Sequence, residues 1–271
     1  MSLPNAESIL FSIAHRSDDP TKLLLQSGKY PDIDMRWVAQ QIEGCKQGAI
    51  KWPSIAPIDT FLYPPRLNRE QSSSEATARY KSRLIEGQSV ADMTGGMGID
   101  CIFFGTKATH VTYIEQSTEL FEISNENIRN LSLHNYLDIH AQYRCLNEDS
   151  IEWLSNHDEH FDTIFIDPSR RDNKGRRVCA FEDCTPNIIE HRQLLMSHCK
   201  RLIVKASPMI DIDSGIKQIG TVKEVHVVAV NGECKEVLFV CTAEEAPTMI
   251  HCVDLHNDGS IRHKNIFSRQ E

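Results

Sequence analysis

Residues 90–100 read VADMTGGMGID, and this segment is the most informative part of the sequence about the fold. An apolar strand runs into a glycine-rich turn, which leads into a helix. Glycines at such a turn let backbone N–H groups face a ligand and let that ligand approach the main chain closely. A dinucleotide loop of the Gly-x-Gly-x-x-Gly type would need a third glycine at position 101, where this chain has Cys101. The turn therefore predicts a small-molecule site that does not hold a pyrophosphate.

The chain around this turn alternates short apolar segments with helix-length segments. Strands are predicted near 89–94, 110–115, 137–142, 161–167 and 200–206, and helices near 99–107, 117–131, 148–156 and 186–198. This alternation is typical of a doubly wound, Rossmann-like α/β domain with a mostly parallel sheet. After a helix at 211–219, segments 222–230 and 235–242 are joined by a connection so short that they must pair antiparallel.

The chain divides into three parts. Residues 1–60 predict a small helical N-terminal module, with helices at 4–15, at 21–26 and from Asp32 to near Gly44, followed by a proline-rich connector from position 51. Residues 61–245 form the α/β domain. Residues 246–271 predict a hairpin, 250–255 with 260–266, which would fit the start of a domain that this chain lacks.

Composition excludes several classes of protein. The 271 residues are 40% hydrophobic, enough for a full core, and the formal charge of −9 argues against a protein that coats nucleic acid nonspecifically. Nine cysteines without a Cys-x-x-Cys pair, together with no leader-like or membrane-length apolar run, predict a reduced, cytoplasmic protein. Twelve histidines without a His-Glu-x-x-His motif predict no metal. The oligomeric state stays open.

Acidic residues end the first two strands. Asp92 suits the ammonium group of a ligand such as the methionine end of S-adenosylmethionine (SAM). Glu115, beside Gln116, lies where a carboxylate accepts hydrogen bonds from both ribose hydroxyls. After the third strand, Asp149 has two open interpretations: it accepts from an adenine amino group, or Asp149 or Ser150 caps the next helix.

The fourth strand ends in Asp167-Pro168-Ser169-Arg170-Arg171. Because ligands of open α/β sheets bind at the carboxyl ends of the strands, this corner is predicted to lie beside the glycine turn. Asp167 would accept a proton or orient an amino group; alternatively, it only stabilises its own turn. Lys205, at the end of the fifth strand, would pair with Asp167 or contact substrate. The basic loop Arg170, Arg171, Lys174, Arg176 and Arg177 fits RNA phosphates, or is an ordinary solvated loop.

These segments resemble class I SAM-dependent methyltransferases over about residues 61–243. A narrower similarity, to bacterial methyltransferases with a THUMP-like C-terminal domain, rests on segments that occur in the same order: Tyr63-Pro64, 71–78, 92–100, 167–171, 205–211 and Cys234-Lys235-Glu236. The resemblance implies that the glycine turn and Glu115 bind SAM and that residues 71–75 close over its methionine end. Two positions differ: Thr94 stands where the commonest motif has its first glycine, and Arg170 where amino-methylating enzymes have an aromatic residue.

The predicted site consists of cofactor-binding residues and catalytic residues. The cofactor residues are Gln71, Ser72, Asp92, Thr94, Gly95, Gly96, Gly98, Asp100, Glu115, Gln116, Asp149 and Ser150. The catalytic residues are Asp167, Pro168, Arg170, Arg171 and Lys205. The predicted function is SAM-dependent methylation of a base in tRNA or rRNA. The alternative is an RNA-binding or assembly module that binds SAM or a nucleoside without catalysis. A nicotinamide-dependent dehydrogenase is disfavoured by Cys101 and by the terminal antiparallel hairpin.

Overall fold

A computed structural model describes residues 4–134, 136–169, 181–244 and 246–269. Its α-helices are α1 (Ala6–Ala14), α2 (Pro20–Leu25), α3 (Met35–Lys51), α4 (Arg66–Gln71), α5 (Glu75–Ser82), α6 (Ile99–Phe104), α7 (Thr118–Leu133), α8 (Ser150–Asn156), α9 (Ile188–Ser197) and α10 (Ile212–Ile219). The strands are β1 (Ser89–Asp92), β2 (His110–Ile114), β3 (Gln142–Leu146), β4 (Phe161–Ile166), β5 (Cys199–Ala206), β6 (Val222–Val230), β7 (Glu233–Thr242), β8 (Met249–Leu255) and β9 (Ile261–Ser268). Within these ranges, no helix has both the length and the apolar character needed to cross a membrane.

One sheet of nine strands runs through the described residues in the order β3-β2-β1-β4-β5-β7-β6-β8-β9. Strands β1 to β5 are parallel, and β7 lies antiparallel to both β5 and β6. The turn between β6 and β7 consists of Asn231 and Gly232, both with positive φ (51° and 81°), as a two-residue hairpin turn requires. The predicted fold, a mostly parallel sheet that ends in an antiparallel hairpin, is confirmed.

The last hairpin extends the same sheet. Strand β8 pairs parallel with β6, and β9 pairs antiparallel with β8. Val253 and Leu255 of β8 are buried in the core cluster that also contains Val228 and Leu238. The first strand of the hairpin is therefore packed onto the core of the sheet that carries the glycine turn, while the residues of β9 are exposed.

Two layers of apolar side chains cover the faces of the sheet. On one face, the helix α6 residues Phe103 and Phe104 pack with Val111 and Phe165 of the strands. The other face buries a second cluster, which includes Trp153, Leu154, Ile164, Phe181 and Phe239. Since β1 and β4 lie between these layers, their short runs are apolar on both faces, and their carboxyl ends emerge at one edge of the sheet.

The third helix was predicted to end near Gly44, and this is wrong. Helix α3 starts after its cap Asp34, whose carboxylate accepts the N–H groups of Arg36 and Trp37, and it continues to Lys51. Gly44 does not end the helix because it is needed for packing: a Cβ at this position would overlap the ring of Tyr63. Glycine has a low helix propensity, but because it lacks a Cβ at this position the connector can lie against the helix.

The third strand was predicted at 137–142 and forms at Gln142–Leu146 instead. Leu137 and Asp138 have φ angles of 62° and 55°, so the chain turns there and cannot be extended. Ile139 and Ala141 are nevertheless buried, which explains the alternating pattern that suggested a strand. Burial of a turn and burial of a strand give the same short alternation in sequence.

Candidate active site

The glycine turn is held in a left-handed conformation against the second strand. Gly96 and Gly98 have φ angles of 55° and 79°, which favour glycine, and Gly98 caps α6. A Cβ on Gly95 would overlap the ring of Tyr113. The Tyr113 hydroxyl donates to the carbonyl of Gly96 at 2.6 Å, so the aromatic ring and the turn fix each other.

Glu115 organises the turn from the end of β2. Its Oε2 accepts the N–H of Gly96 at 2.9 Å, and its Oε1 accepts the N–H of Ser117 at 2.8 Å. The side chain is only half-buried, whereas Gln116 beside it is exposed. Glu115 therefore both shapes the glycine turn and presents a carboxylate at the carboxyl edge of the sheet.

Asp92 is a buried carboxyl at the end of β1, with 1% exposure. Burial raises its pKa well above the ordinary value, and the neighbouring carboxyl of Asp100 raises it further. The N–H of Thr94 donates to its Oδ1 at 3.2 Å, which opposes this effect only in part. A nearby cation would favour the ionised form of this carboxyl, so a ligand with an ammonium group would suit this position.

Thr94 connects the glycine turn to the end of β4. The backbone N–H of Asp167 donates to the Thr94 hydroxyl at 2.6 Å. A glycine at this position, as in the commonest motif, would offer no such acceptor. The departure from the motif therefore joins the predicted cofactor turn to the predicted catalytic turn by a direct hydrogen bond.

Asp167 and Lys205 form an ion pair across β4 and β5. Lys205 Nζ donates to Asp167 Oδ2 at 2.5 Å; the lysine side chain is 9% exposed and that of the aspartate 30%. Burial alone would lower the pKa of Lys205, but the carboxylates of Asp167, Glu236 and Asp100 outweigh it and raise that pKa above its usual range. The expected pairing is thus present, and it leaves Asp167 accessible at the sheet edge.

The structure describes only some of the remaining residues that were predicted to be catalytic. Pro168 is buried directly after Asp167, and Ser169 forms an isolated bridge with Thr185. Arg170 and Arg171, with the rest of the basic loop to Arg177, lie outside the described residues. Their proposed contact with RNA stays a prediction.

A buried polar network below the turn was not predicted. Lys81 Nζ donates to Ser73 Oγ at 2.6 Å and to Glu236 Oε2 at 3.0 Å, and it lies 3.0 Å from Asp100 Oδ1. Ser73 in turn donates to Asp100 Oδ2 at 2.7 Å. The Lys81 side chain is fully buried. It therefore joins α5, α6 and β7 through one cation surrounded by two carboxylates.

The sequence held a partial signal for this network. Ser73 and Glu236 lie within segments that carry the family resemblance, but Lys81 is one basic residue of a polar helix. Of the segment predicted to close over the ligand, Gln71 is exposed and Ser72 is half-buried. Its neighbour Ser73 is the one whose hydroxyl contacts Asp100.

Asp149 has the helix-capping contacts that were one of its two interpretations. Its Oδ1 accepts the N–H groups of Ile151 and Glu152 at 2.9 and 3.0 Å, and Ser150 is the buried first residue of α8. Asp149 itself is exposed. Asn147, two residues earlier, donates to the carbonyl of Glu115 at 2.7 Å and so ties the ends of β2 and β3 together.

Together these contacts place four ionisable groups at the carboxyl ends of neighbouring parallel strands: Asp92 on β1, Glu115 after β2, Asp167 after β4 and Lys205 on β5. The three acids outnumber the single lysine. A ligand with positive charge near the glycine turn and hydroxyl donors near Glu115 would complement this edge. The accessible Asp167 lies where a second molecule would meet that ligand.

The chain is similar to known proteins over much of its length. The family model of Conserved hypothetical protein 95 matches residues 77–210. The Ribosomal RNA large subunit methyltransferases K/L of Aeromonas hydrophila subsp. hydrophila and Aeromonas salmonicida are 24% and 25% identical over 187 residues, which is 68% of this chain and 24% of each relative. The chain thus matches about a quarter of the length of these curated relatives.

A solved structure matches almost the whole chain. The crystal structure of a "putative methyltransferase" from Porphyromonas gingivalis W83 is 32% identical and superposes with a TM-score of 0.85. The match covers 99% of this chain and 66% of that protein. The similarity therefore includes the helical N-terminal module and the last hairpin as well as the central sheet.

Proposed function

We propose that this chain is a class I methyltransferase that uses SAM to methylate a base in RNA. The observation that carries the proposal is the contact between the glycine turn and Glu115, because it places a carboxylate and a left-handed backbone turn at one strand edge. SAM brings an activated methyl group on a positively charged sulfur. The acidic edge formed by Asp92, Glu115 and Asp167 is complementary to that charge.

Four of the predicted residues would contact the cofactor at its two ends and at its ribose. Asp92 would bind the ammonium group of the methionine moiety, and its proton would leave as the cation arrives, because a nearby positive charge favours the ionised carboxyl. Glu115 would accept the ribose hydroxyls through oxygens that are already fixed by Gly96 and Ser117. Asp149 and Ser150 would border the adenine.

Asp167 and Lys205 would act on the nucleophile. In methyl transfer, the nucleophile forms a bond to the methyl carbon while the carbon–sulfur bond breaks, and S-adenosylhomocysteine leaves. The protein's task is to align these atoms and to exclude water. The Lys205 ammonium fixes one oxygen of Asp167, so the carboxylate would orient the base and accept the proton that the nucleophile loses.

RNA is the substrate class that the relatives' names and the charge pattern support. Both curated relatives are named as ribosomal RNA methyltransferases. The basic run that follows Asp167 in the sequence contains five of the cations of a chain whose net charge is −9, and such a run suits the phosphates of RNA. Arg170 in place of an aromatic residue disfavours an exocyclic amine as the methylated atom.

Calorimetry tests the cofactor part. SAM, S-adenosylhomocysteine and NAD would be titrated into the wild-type chain and into Glu115→Ala. We expect binding of the first two ligands only, weakened at least about tenfold, or about 1.4 kcal/mol, in the variant. Binding of NAD, or of none of the three, would contradict the assignment of the cofactor.

Transfer of labelled methyl groups tests the substrate part. Ribosomal RNA and tRNA from cells that lack the gene would be incubated with the protein and radiolabelled SAM. Label is expected in one RNA species, and Asp167→Asn is expected to abolish its incorporation while SAM still binds. Label only in protein or in small molecules would rule out the RNA substrate, whereas SAM binding without any transfer would favour a noncatalytic binding module.

A further inference from the structure

Two histidines and one glutamate are brought together where the last hairpin joins the sheet. Glu224 and His226 are two residues apart on β6, so their side chains lie on the same face. The parallel pairing of β6 with β8 places His251 directly beside His226. We propose that Glu224, His226 and His251 bind a divalent first-row transition ion, with Zn²⁺ as the best match.

The distances suit a small tetrahedral ion. Glu224 Oε2 lies 3.0 Å from His226 Nε2 and 3.8 Å from His251 Nε2. Ligands about 2.0–2.1 Å from a tetrahedral Zn²⁺ are roughly 3.3 Å apart, so these values bracket the required separation. The two imidazole rings stack with centroids 4.4 Å apart and turn their Nε2 atoms toward the same carboxylate oxygen.

The chemistry of the donors also fits. Zn²⁺ binds carboxylate oxygens and neutral imidazole nitrogens, which are the donor types that Glu224, His226 and His251 offer. Two nitrogens and one carboxylate form a common zinc ligand set, and water would complete it.

The surroundings would orient the ligands. The Tyr80 hydroxyl lies 2.8 Å from His226 Nδ1, so this nitrogen can carry its proton toward the tyrosine oxygen while Nε2 binds the ion. The positive charge of Arg201 would repel a metal ion. However, its guanidinium donates to Glu224 Oε1 and to Glu86, which leaves Glu224 Oε2 for the metal. The Glu224 side chain is 21% exposed and that of His251 13%, so the site has access to solvent.

The site was not recognisable from the sequence. Positions 224, 226 and 251 do not match any short metal motif, and the sequence therefore predicted no metal. Only the β6–β8 pairing brings the third ligand to the first two. A bound ion would join β6 to β8 and so fasten the hairpin to the sheet, independently of the proposed methyl transfer.

Metal titration of the full chain tests this proposal. The protein, first treated with a chelator, would be titrated with Zn²⁺ by calorimetry and with Co²⁺ by absorption spectroscopy. We expect one ion per chain and d–d bands without a sulfur-to-cobalt charge-transfer band, which separates this site from the cysteines. His251→Ala should weaken binding about 100-fold and Tyr80→Phe about tenfold, as loss of a ligand and of its hydrogen-bond partner would.

Two controls keep the result interpretable. His263→Ala removes an exposed histidine from the same hairpin and should leave binding unchanged. Glu224→Gln removes the anionic ligand with little change in size, so it tests the site if His251→Ala does not fold. Equal zinc affinity in wild type, His251→Ala and Glu224→Gln, or no zinc binding by the wild type, would overturn the proposal in favour of a purely hydrogen-bonded cluster.

Discussion

Thr94 shows how one side chain can connect two parts of a site. Its hydroxyl accepts the backbone N–H of Asp167, so the position of the predicted catalytic turn depends on a residue of the glycine turn. The threonine side chain is small, so the turn gains a hydrogen-bond acceptor with only a small increase in volume over glycine. Neither the commonest motif nor the local sequence indicates this contact, because its partner lies 73 residues away.

Removal of this hydroxyl should impair turnover more than cofactor binding. Thr94→Val keeps the size and shape of the side chain but leaves the Asp167 N–H without its acceptor, which costs about 1–3 kcal/mol. We expect a kcat lowered about tenfold and a SAM Kd changed less than about threefold. The measurements are steady-state kinetics and calorimetry. Thr94→Ser, which retains the hydroxyl, is the matched control; equal loss in both variants would contradict the role of the hydrogen bond.

Asp92 should reduce the stability of the ligand-free protein. Because burial raises the pKa of Asp92 in the folded protein above the ordinary value of 3.8, ionisation opposes folding. Stability is therefore lost as pH rises from about 4 toward the folded pKa, and no loss occurs below both values. The residue would be retained because it binds a cation, although it lowers the stability of the ligand-free protein.

The Asp92→Asn variant tests this trade-off. It should unfold at a higher urea concentration than wild type at pH 8, and the difference should disappear near pH 4. SAM affinity should fall at least about tenfold in the same variant. Urea titrations at the two pH values and calorimetry provide the data. A variant that is less stable than wild type at pH 8 would show that Asp92 is not held at an energetic cost.

At the scale of elements, Lys81 links three segments that are distant in sequence. Helix α5 contributes the lysine, α6 contributes Asp100 and β7 contributes Glu236. The carboxyl groups are 11% and 3% exposed. A buried cation between two such groups is costly to remove, because each carboxylate would be left without its partner in a poorly solvated place.

Lys81→Met should therefore destabilise the protein by about 3–5 kcal/mol in urea denaturation. Lys217→Met, which changes an exposed lysine of α10, should change stability by less than about 0.5 kcal/mol. Adding Glu236→Gln to Lys81→Met should recover part of the loss, since one uncompensated charge is removed. If the double variant were as unstable as the sum of the two single variants, the three groups would not be coupled.

At the scale of the whole molecule, the last hairpin protects the edge of the sheet. Strand β6 would be an edge strand without β8, and its unpaired backbone groups would be open to other chains. The hairpin also covers core residues through Val253 and Leu255. Its loss would remove both the pairing and this burial.

A chain that ends at residue 245 should be less stable and more prone to associate. Loss of two buried apolar side chains corresponds to roughly 3–6 kcal/mol. We expect a clearly lower Tm and oligomers or aggregates in size-exclusion chromatography with light scattering. Phe267→Ser, which changes an exposed β9 residue, should stay within about 0.5 kcal/mol of wild type. A monomeric truncated chain with an unchanged Tm would show that the sheet does not need the hairpin.

The sequence by itself determined the class of fold and the location of the predicted cofactor turn. Residues 90–100 and the strand–helix alternation after them are local patterns, and local patterns follow from backbone conformation and from burial along one segment. Glu115 and Asp167 could be assigned to one edge because parallel strands end on the same side. The two errors, at Gly44 and at 137–142, arose where packing against distant residues overrode a local signal.

The tertiary structure decided what depends on partners far apart in the chain. The Lys81 network, the Thr94–Asp167 hydrogen bond and the Glu224–His226–His251 cluster each join segments separated by about 20 residues or more. A lone lysine, threonine or histidine has the same local pattern whether it is solvated or surrounded by partners. Strand order and register determine which of these side chains meet, because pairing fixes both the neighbour and the face.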